Sequence, residues 1–287
     1  MYTPRQVRDA KIAKRLMKDL GYVSVNDQAV MVKDMLNCPI TVSDVYRAAK
    51  IYGPDVASLK GKTVKAPSTI VKIDYVPRSV QTEQSLHIDI MFIESDPYLI
   101  SVSTPLLLTM CTHLGNKRTL ESLRAAIFKQ VACYRSQAFS IGRILSDGEG
   151  AVIVLEPKLN DVEIKVERAG PGEHVPVIER KIRQIKERVR AHINHLPFNI
   201  TITLLMWLVY FCVSRISLAP TSASGSSTSP REAFFGRKTD VKRDVRIGFG
   251  QHVHTHEPNV ITNTMSRRTQ GAIALLPSGN IAGSVKF

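Results

Sequence analysis

The sequence is poor in cysteine and in long apolar runs, and each shortage argues against a class of protein. Its 287 residues include 4 Cys, none of them in a C-x-x-C pair, which argues against a disulfide scaffold or a cysteine-rich zinc module. The N-terminus lacks the apolar core of a signal peptide. The apolar run 202–213 is only 12 residues long, whereas a membrane span needs about 20. We therefore expect a core helix there, no membrane partner, and a protein of the nucleus or cytoplasm.

Acidic residues are also in short supply, and the basic excess is unevenly distributed. The 39 Lys and Arg outnumber the 25 Asp and Glu, for a net charge of +14. Residues 1–78 carry +7, residues 79–172 carry −2, residues 173–246 carry +7 and the remainder carries +2. Basic flanks favour a nucleic acid as partner, because each neutralised phosphate releases condensed counterions. The alternative is that the surplus cations only keep the protein in solution.

Composition divides the chain into five segments. The first is predicted to be helical, with helix starts at Thr3-Pro4 and at Thr41 followed by Asp44. The last alternates apolar and polar residues with frequent glycine, which favours strands. The predicted segments are a helical region 1–58, a basic linker 59–84, a core 85–216, a Ser-rich loop 217–232 and a small β-rich module 233–287.

The core segment has the pattern of an α/β domain. Strand-like runs are followed by a helical pattern, a further strand and a long amphipathic helix that begins near Pro176. Asp96-Pro97 is predicted to mark the turn between the first two strands. In the long helix, an apolar stripe is predicted to be buried. The stripe consists of Ile178, Ile182, Ile185, Val189 and Ile193.

Three acidic residues occupy positions that suit catalysis. Asp89 interrupts an apolar strand, where an unpaired charge is costly, and Asp147 follows the end of another strand. Glu179 lies in the first turn of the long helix. Clustered carboxylates repel one another, and a Mg²⁺ or Mn²⁺ ion relieves that repulsion. The alternatives are an Asp89–Arg pair at a strand edge, an ordinary turn for Asp147, and a helix-dipole role for Glu179.

The segments around these carboxylates resemble the three motifs of retroelement integrases, and most closely those of copia-type LTR retrotransposons. The matching segments are His87-Ile-Asp-Ile-Met-Phe92, Leu145-Ser-Asp-Gly-Glu-Gly150 and Gly172-Glu-His-Val-Pro-Val-Ile-Glu-Arg-Lys181. The resemblance continues into residues 35–62 and 229–238, as in a fragment of a Gag-Pol polyprotein. It implies an RNase H-like fold, a mixed β-sheet flanked by helices. It also implies that Asp89, Asp147 and Glu179 are catalytic ligands of two Mg²⁺ or Mn²⁺ ions.

The family's upstream zinc site of two His and two Cys has no counterpart here, because residues 1–80 contain no His and only Cys38. His252, His254 and His256 alternate, so a strand would place all three on one face. Such a run is a candidate metal site or simply a partly exposed strand.

Under the resemblance, the cations on the Glu179 helix acquire a role in holding DNA. Arg183, Lys186 and Arg190 follow Glu179 at helical spacing and would hold phosphates beside the metal site. A solvated helix face is the alternative. Further candidates for DNA contacts are Lys60, Lys62, Lys65, Arg237 and Lys238, with Lys242, Arg243 and Arg246 beside them.

Three functions remain open at this stage. The first is an integrase, a polynucleotidyl transferase that joins element DNA to target DNA by two-metal phosphodiester chemistry. As the resemblance implies, its partners would be the DNA ends and the target, and it would assemble as a homo-oligomer on them. The second is an inactive, basic DNA-binding remnant of a retroelement. The third is an RNase H-type nuclease acting on RNA–DNA hybrids.

Overall fold

A computed structural model of the chain describes residues 2–63, 73–76, 82–115, 118–147, 150–168, 176–220, 228–256, 264–280 and 282–287. It divides into two compact units. Unit 1 comprises Met1–Ser68 and His252–Ala272, and unit 2 comprises Thr69–Gln251 and Ile273–Phe287.

Unit 1 is built from four helices and a two-stranded sheet. Thr3 caps the first helix and Asp44 accepts hydrogen bonds from the Thr41 backbone and hydroxyl, so both predicted helix starts are confirmed. Small side chains such as Ala10 and Ala13 are fully buried where the helices pack. Its elements are α1 (Pro4–Asp19), α2 (Val25–Asp34), α3 (Val42–Tyr52), α4 (Val56–Lys62), β6 (His252–His256) and β7 (Thr269–Ile273).

Unit 2 contains a five-stranded mixed sheet in the order β3-β2-β1-β4-β5. The first three strands form an antiparallel meander, while β1, β4 and β5 run parallel. The sheet strands are β1 (Glu83–Ile93), β2 (Asp96–Thr104), β3 (Thr109–His113), β4 (Ser140–Ser146) and β5 (Lys165–Arg168). The remaining elements are α5 (Leu120–Ser136), α6 (Gly150–Asn160), α7 (Pro176–His195), α8 (Ile202–Ile216), α9 (Pro230–Phe235), α10 (Val241–Asp244), β8 (Leu276–Pro277) and β9 (Val285–Lys286).

Helices cover the sheet on both faces, because alternate residues of its strands enter two different cores. Leu86 and Ile88 of β1 pack with α5 and α6, whereas Met91 packs with α7 and α8. The strands of such a doubly covered sheet are apolar on both faces. The expected α/β architecture, a mixed sheet flanked by helices, is confirmed.

The apolar run 202–213 is part of a core helix. Leu205, Leu208 and Cys212 of α8 are buried against α7 and the sheet. In the portion of the chain that the structure describes, we find no helix with the length and apolarity required to span a bilayer.

The turn between the first two strands differs from the prediction. Glu94 and Ser95 both have positive φ, at 48° and 69°, and form the two-residue hairpin loop. Asp96 and Pro97 already belong to β2, where Asp96 pairs with Ile93. Two consecutive positive-φ residues match the right-handed twist of the strands, and this requirement overrides the turn preference of an Asp-Pro pair.

The segment boundaries also differ. Helix α4 extends to Lys62, inside the predicted linker, and α9 begins at Pro230, inside the predicted Ser-rich loop. Residues 233–287 do not form one separate module. Phe234 and Phe249 pack into the two cores of unit 2, whereas β6 and most of β7 belong to unit 1. Apolar side chains in this region are buried by the larger sheet domain, since a module of that size has little core of its own.

Candidate active site

Two of the three carboxylates lie side by side on neighbouring parallel strands. In the β1–β4 ladder, His87 pairs with Leu145 and Ile88 pairs with Ser146. Asp89 and Asp147 are the next residues in this register. Alternation places Asp89 on the same sheet face as Met91, toward α7, because Ile88 points to the α5 side. Asp89 is half-buried and Asp147, one residue beyond β4, is exposed.

Glu179 approaches the same sheet face from α7. The neighbouring Ile178 is buried with Met91 in the core between this helix and the sheet, and Ile185 continues that contact two turns later. Glu179 is exposed in the first turn of the helix. The apolar stripe of α7 is buried at Ile178, Ile185 and Val189, whereas Ile193, near the helix end, is 36% exposed.

The electrostatics of Asp89 link the three carboxylates. Burial is the largest cause raising the pKa of Asp89, and the negative charges of Asp147 and Glu179 raise it further. Two effects lower the pKa of Asp89: the Ile90 N–H donates to its Oδ1 at 2.7 Å, and Lys186 lies nearby. The net direction is upward, because burial and the two neighbouring acids disfavour the charged form of Asp89.

The donor chemistry suits a hard divalent cation. All three side chains offer carboxylate oxygens, the ligands that Mg²⁺ and Mn²⁺ prefer, and a cation among them would relieve their mutual repulsion. Across the described ranges, however, no three His, Cys, Asp or Glu side chains are close enough to hold one ion. The three residues therefore share one electrostatic environment without forming a closed coordination shell.

The alternative role for Asp89, an ion pair with arginine, is not seen among the described residues. None of the residues described around Asp89 forms an ion pair with it, and its printed hydrogen bond is to the backbone of Ile90. His87, which lies on the same face of β1, is bonded through Nε2 to Thr104 Oγ1 at 3.1 Å. Burial and then the charge of Arg143 lower the pKa of His87. It is oriented toward β2 rather than toward the carboxylates.

The basic face of α7 runs beside Glu179. Arg183 and Arg190 are exposed, Lys186 is half-buried, and Lys186 is close enough to lower the pKa of Asp89. Three further cations on this helix were missed as candidates. They are Arg180, Lys181 and Arg188, and burial followed by the charges of Arg188 and Arg180 lowers the pKa of Lys181. The high density of cations along residues 180–190 is the sequence feature that indicates these additional candidates.

The other proposed DNA contacts have different environments. Lys60, Lys238, Lys242 and Arg246 are exposed, and Lys62 is exposed with its Nζ donating to Tyr22 O at 2.6 Å. Lys65 lies outside the described residues. Arg243 pairs with Asp240 at 3.1 Å.

Arg237 is not a surface cation. It is 8% exposed and its Nη2 lies 3.6 Å from Asp244 Oδ1, because its segment pairs with the backbone of Tyr75 and folds inward. The expectation that Arg237 contacts DNA does not agree with this burial, and the residue is set aside as a DNA ligand.

The histidines of β6 lie on one strand, as predicted. His252 and His254 are in edge contact, with ring centroids 5.2 Å apart, and His254 Nδ1 lies 3.5 Å from Thr269 Oγ1. Within the described part of unit 1 they do not belong to a cluster that could hold a metal ion. The contacts are those of a partly exposed strand.

No protein-family model matches the sequence, and no curated protein matches it. Two similar solved structures are integrase cores. The catalytic core domain of BIV integrase is 14% identical, with a TM-score of 0.41, and the match covers 52% of this chain and 92% of that one. The HTLV-2 integrase catalytic core domain in complex with magnesium (trimeric form) is 12% identical, also with a TM-score of 0.41, covering 55% and 97%.

Proposed function

We propose that this protein is a divalent-metal-dependent polynucleotidyl transferase of the integrase type, with Asp89, Asp147 and Glu179 as its catalytic carboxylates. The observation that carries the proposal is the electrostatic coupling of Asp89 to both other acids across two parallel strands and a helix. Sites of α/β folds commonly lie at the carboxyl ends of parallel strands, and Asp147 occupies that position on β4. The link to copia-type elements is proposed from the resemblance of the three sequence motifs.

The chain's own residues would perform two tasks. The three carboxylates would hold two Mg²⁺ or Mn²⁺ ions, which when bound activate an attacking hydroxyl and stabilise the leaving oxygen of a phosphodiester. Arg183, Lys186 and Arg190 would bind DNA phosphates and orient the scissile strand over the carboxylates. Phosphate contacts carry no sequence information, which suits an enzyme that accepts many targets. The DNA ends and target are the proposed partners, with a homo-oligomer forming on them.

A DNA-binding remnant without chemistry is the second candidate. It is favoured by one observation, that the described carboxylates do not come close enough to share an ion. It keeps the basic face of α7 but predicts no metal-dependent reaction.

A substrate panel separates these functions. The purified chain is incubated with Mg²⁺ or Mn²⁺ and either a labelled double-stranded DNA end or an RNA–DNA hybrid, beside Asp147→Asn. An integrase gives joined DNA products that the variant lacks. Cleavage of the hybrid alone would assign an RNase H-type nuclease instead. Salt-dependent binding of DNA with no cutting or joining under either metal would favour the inactive DNA-binding remnant.

A further inference from the structure

We infer that unit 2 carries a second binding site, for a small apolar carboxylate, in a cavity over the edge strand β3. The cavity has a volume of about 660 Å³ and lies between β3, α5, α8 and the strands β8 and β9. Small-molecule sites generally span roughly 300–1,000 Å³. None of the three catalytic candidates lines it. We call it the β3 cavity.

The walls of the β3 cavity are largely apolar and aromatic. Trp207 contacts Tyr210 with ring centroids 5.9 Å apart, and the Nζ of Lys286 lies 5.0 Å from the centroid of the Trp207 ring. Such walls suit the body of an apolar ligand and leave its charged end to be held by a few polar groups. The apolar walls are formed by Met110, Met206, Trp207, Phe234, Phe235 and Leu276.

The charges that line the cavity are all positive. Lys129, Arg215, Arg231 and Lys286 line it, and the described lining contains no Asp or Glu. Lys129 forms no ion pair with the residues that the structure describes around it. A cavity with cations and no lining carboxylate selects an anion.

The arginines at and beside this cavity outnumber the carboxylates that could neutralise them. Arg231 Nη2 lies 2.8 Å from Asp244 Oδ1, and the buried Arg237 lies 3.6 Å from the same oxygen. Arg215 donates to two backbone carbonyls, Asp244 O at 2.5 Å and Ile247 O at 3.4 Å, and to no carboxylate among the described residues. Glu232, a further acid near Arg231, already accepts from the backbones of Ser229 and Thr239. A bound carboxylate would offset this excess, since the planar guanidinium fork matches its two oxygens.

Two buried polar atoms at the cavity wall also lack partners. Thr109 and Gln130 are each 4% exposed. Thr109 Oγ1 and Gln130 Oε1 form no hydrogen bond with the described protein. Both atoms are enclosed within the wall rather than exposed to the cavity, so they add polar character beside the cations without identifying the ligand. Thr109 lies near the arginines, since its N–H donates to Ser217 Oγ at 3.4 Å.

The cavity favours a small molecule over an added peptide strand. An edge strand usually offers free N–H groups, but the Thr109 N–H donates to Ser217 and the His113 N–H donates to Tyr210 Oη at 3.0 Å. Tyr210 of α8 and Ser217, which follows the helix, therefore occupy two of the positions at which a peptide would pair. A concave, cation-lined apolar space remains.

Trp207 provides the readout, because it is the sole tryptophan in the chain. The full chain is titrated with decanoate while Trp207 emission is recorded, and 2-naphthoate is titrated by calorimetry, so that aliphatic and aromatic carboxylates are distinguished. Neutral decan-1-ol is the control ligand. Lys129→Gln removes one lining cation, with the exposed Lys158→Gln on α6 as its matched control. Cys133→Phe blocks the cavity from an exposed position on α5.

We expect saturable 1:1 binding of at least one carboxylate, about three- to tenfold weaker in Lys129→Gln, unchanged in Lys158→Gln and lost in Cys133→Phe. Equal binding of decan-1-ol and decanoate would overturn the assignment of an anion site. No change in Trp207 emission and no heat, with either acid at millimolar concentration, would overturn the site itself. A dimer in solution that shields Trp207 and binds neither acid would assign this face to a second copy instead.

Discussion

Asp89 is the residue of the proposed site whose charge costs the folded protein most stability. Its charge is disfavoured by burial and by two neighbouring acids. A group whose folded pKa is raised destabilises the fold at pH above that pKa, and this cost disappears below the unfolded value of 3.8.

We therefore expect Asp89→Asn to be more stable than the natural protein in EDTA at neutral pH, with the difference vanishing as the pH falls toward 4. Added Mn²⁺ should stabilise only the natural protein, by about 1.4 kcal/mol for each tenfold excess over its Kd. Urea unfolding followed by Trp207 emission measures both effects. If Mn²⁺ stabilises the Asn variant equally, the cation binds elsewhere.

Asp44 shows the opposite sign in unit 1. Burial acts to raise the pKa of Asp44, but hydrogen bonds from Thr41 and the charge of Arg47 outweigh it and lower the pKa below the usual value. The carboxylate also closes the start of α3 by accepting from the Thr41 N–H at 2.9 Å. A lowered pKa contributes stability that is present above the unfolded value and lost as the pH falls through the folded one.

We expect Asp44→Ala to cost about 1–2 kcal/mol at pH 7 and less at pH 3. Hydrogen exchange of the α1–α3 amides measures this within unit 1, where the helices share one core. Asp34→Ala, which removes an exposed carboxylate from the end of α2, is the control and should have little effect. Equal losses in both variants would show that the cap contributes nothing specific.

At the scale of elements, α7 joins packing and proposed binding in one helix. Its buried residues face the sheet while Arg183 and Arg190 point to solvent. We expect Arg183→Gln with Arg190→Gln to weaken DNA binding and to reduce the slope of log K against log salt by about 1.8. Anisotropy titrations across a salt series give the slope.

The matched control replaces two exposed cations of the same unit, Lys158 on α6 and Lys165 on β5, by Gln. An identical change of slope in this control would mean that DNA responds to the net charge of the protein and does not bind specifically at α7.

Helix α8 packs against the same sheet face as α7, at the β3 edge of the sheet. Leu208 is fully buried in the core shared with α7, whereas Ile202, at the helix start, is 72% exposed. We expect Leu208→Ala to destabilise unit 2 by about 2–5 kcal/mol and Ile202→Ala to change its stability little. Urea unfolding distinguishes them. Comparable effects would contradict the packing described for this helix.

Across the whole molecule, sequence reasoning succeeded where a pattern had one physical cause. The apolar runs of β1 and β2 were predicted correctly, because burial between covering layers dictates them. The same holds for most of the α7 stripe, but Ile193, beyond the covered part of the helix, is 36% exposed. Sequence reasoning failed at the hairpin, since Glu94 and Ser95 adopt positive φ without glycine. Helix α6 and strand β5 were not anticipated, as α6 contains Pro157 and shows little amphipathic periodicity.

The candidate site was predictable only in part. The order strand-Asp, strand-end Asp and helix-Glu is visible in the sequence, but the parallel register that sets Asp89 beside Asp147 is a long-range pairing. The burial of Arg237 was hidden for the same reason, because it depends on Asp244 and Tyr75. Local sequence does not encode which distant carboxylate will meet a given arginine.

The rate of strand transfer by the separate carboxylate variants tests the central claim most directly. Joining of a labelled DNA end in Mn²⁺ is measured for the natural protein, Asp89→Asn, Asp147→Asn and Glu179→Gln. The control is Glu187→Gln, which removes an exposed acid further along α7. We expect each of the three to lose at least about 100-fold and the control to keep its activity. Joining that persists in any of the three would contradict the account.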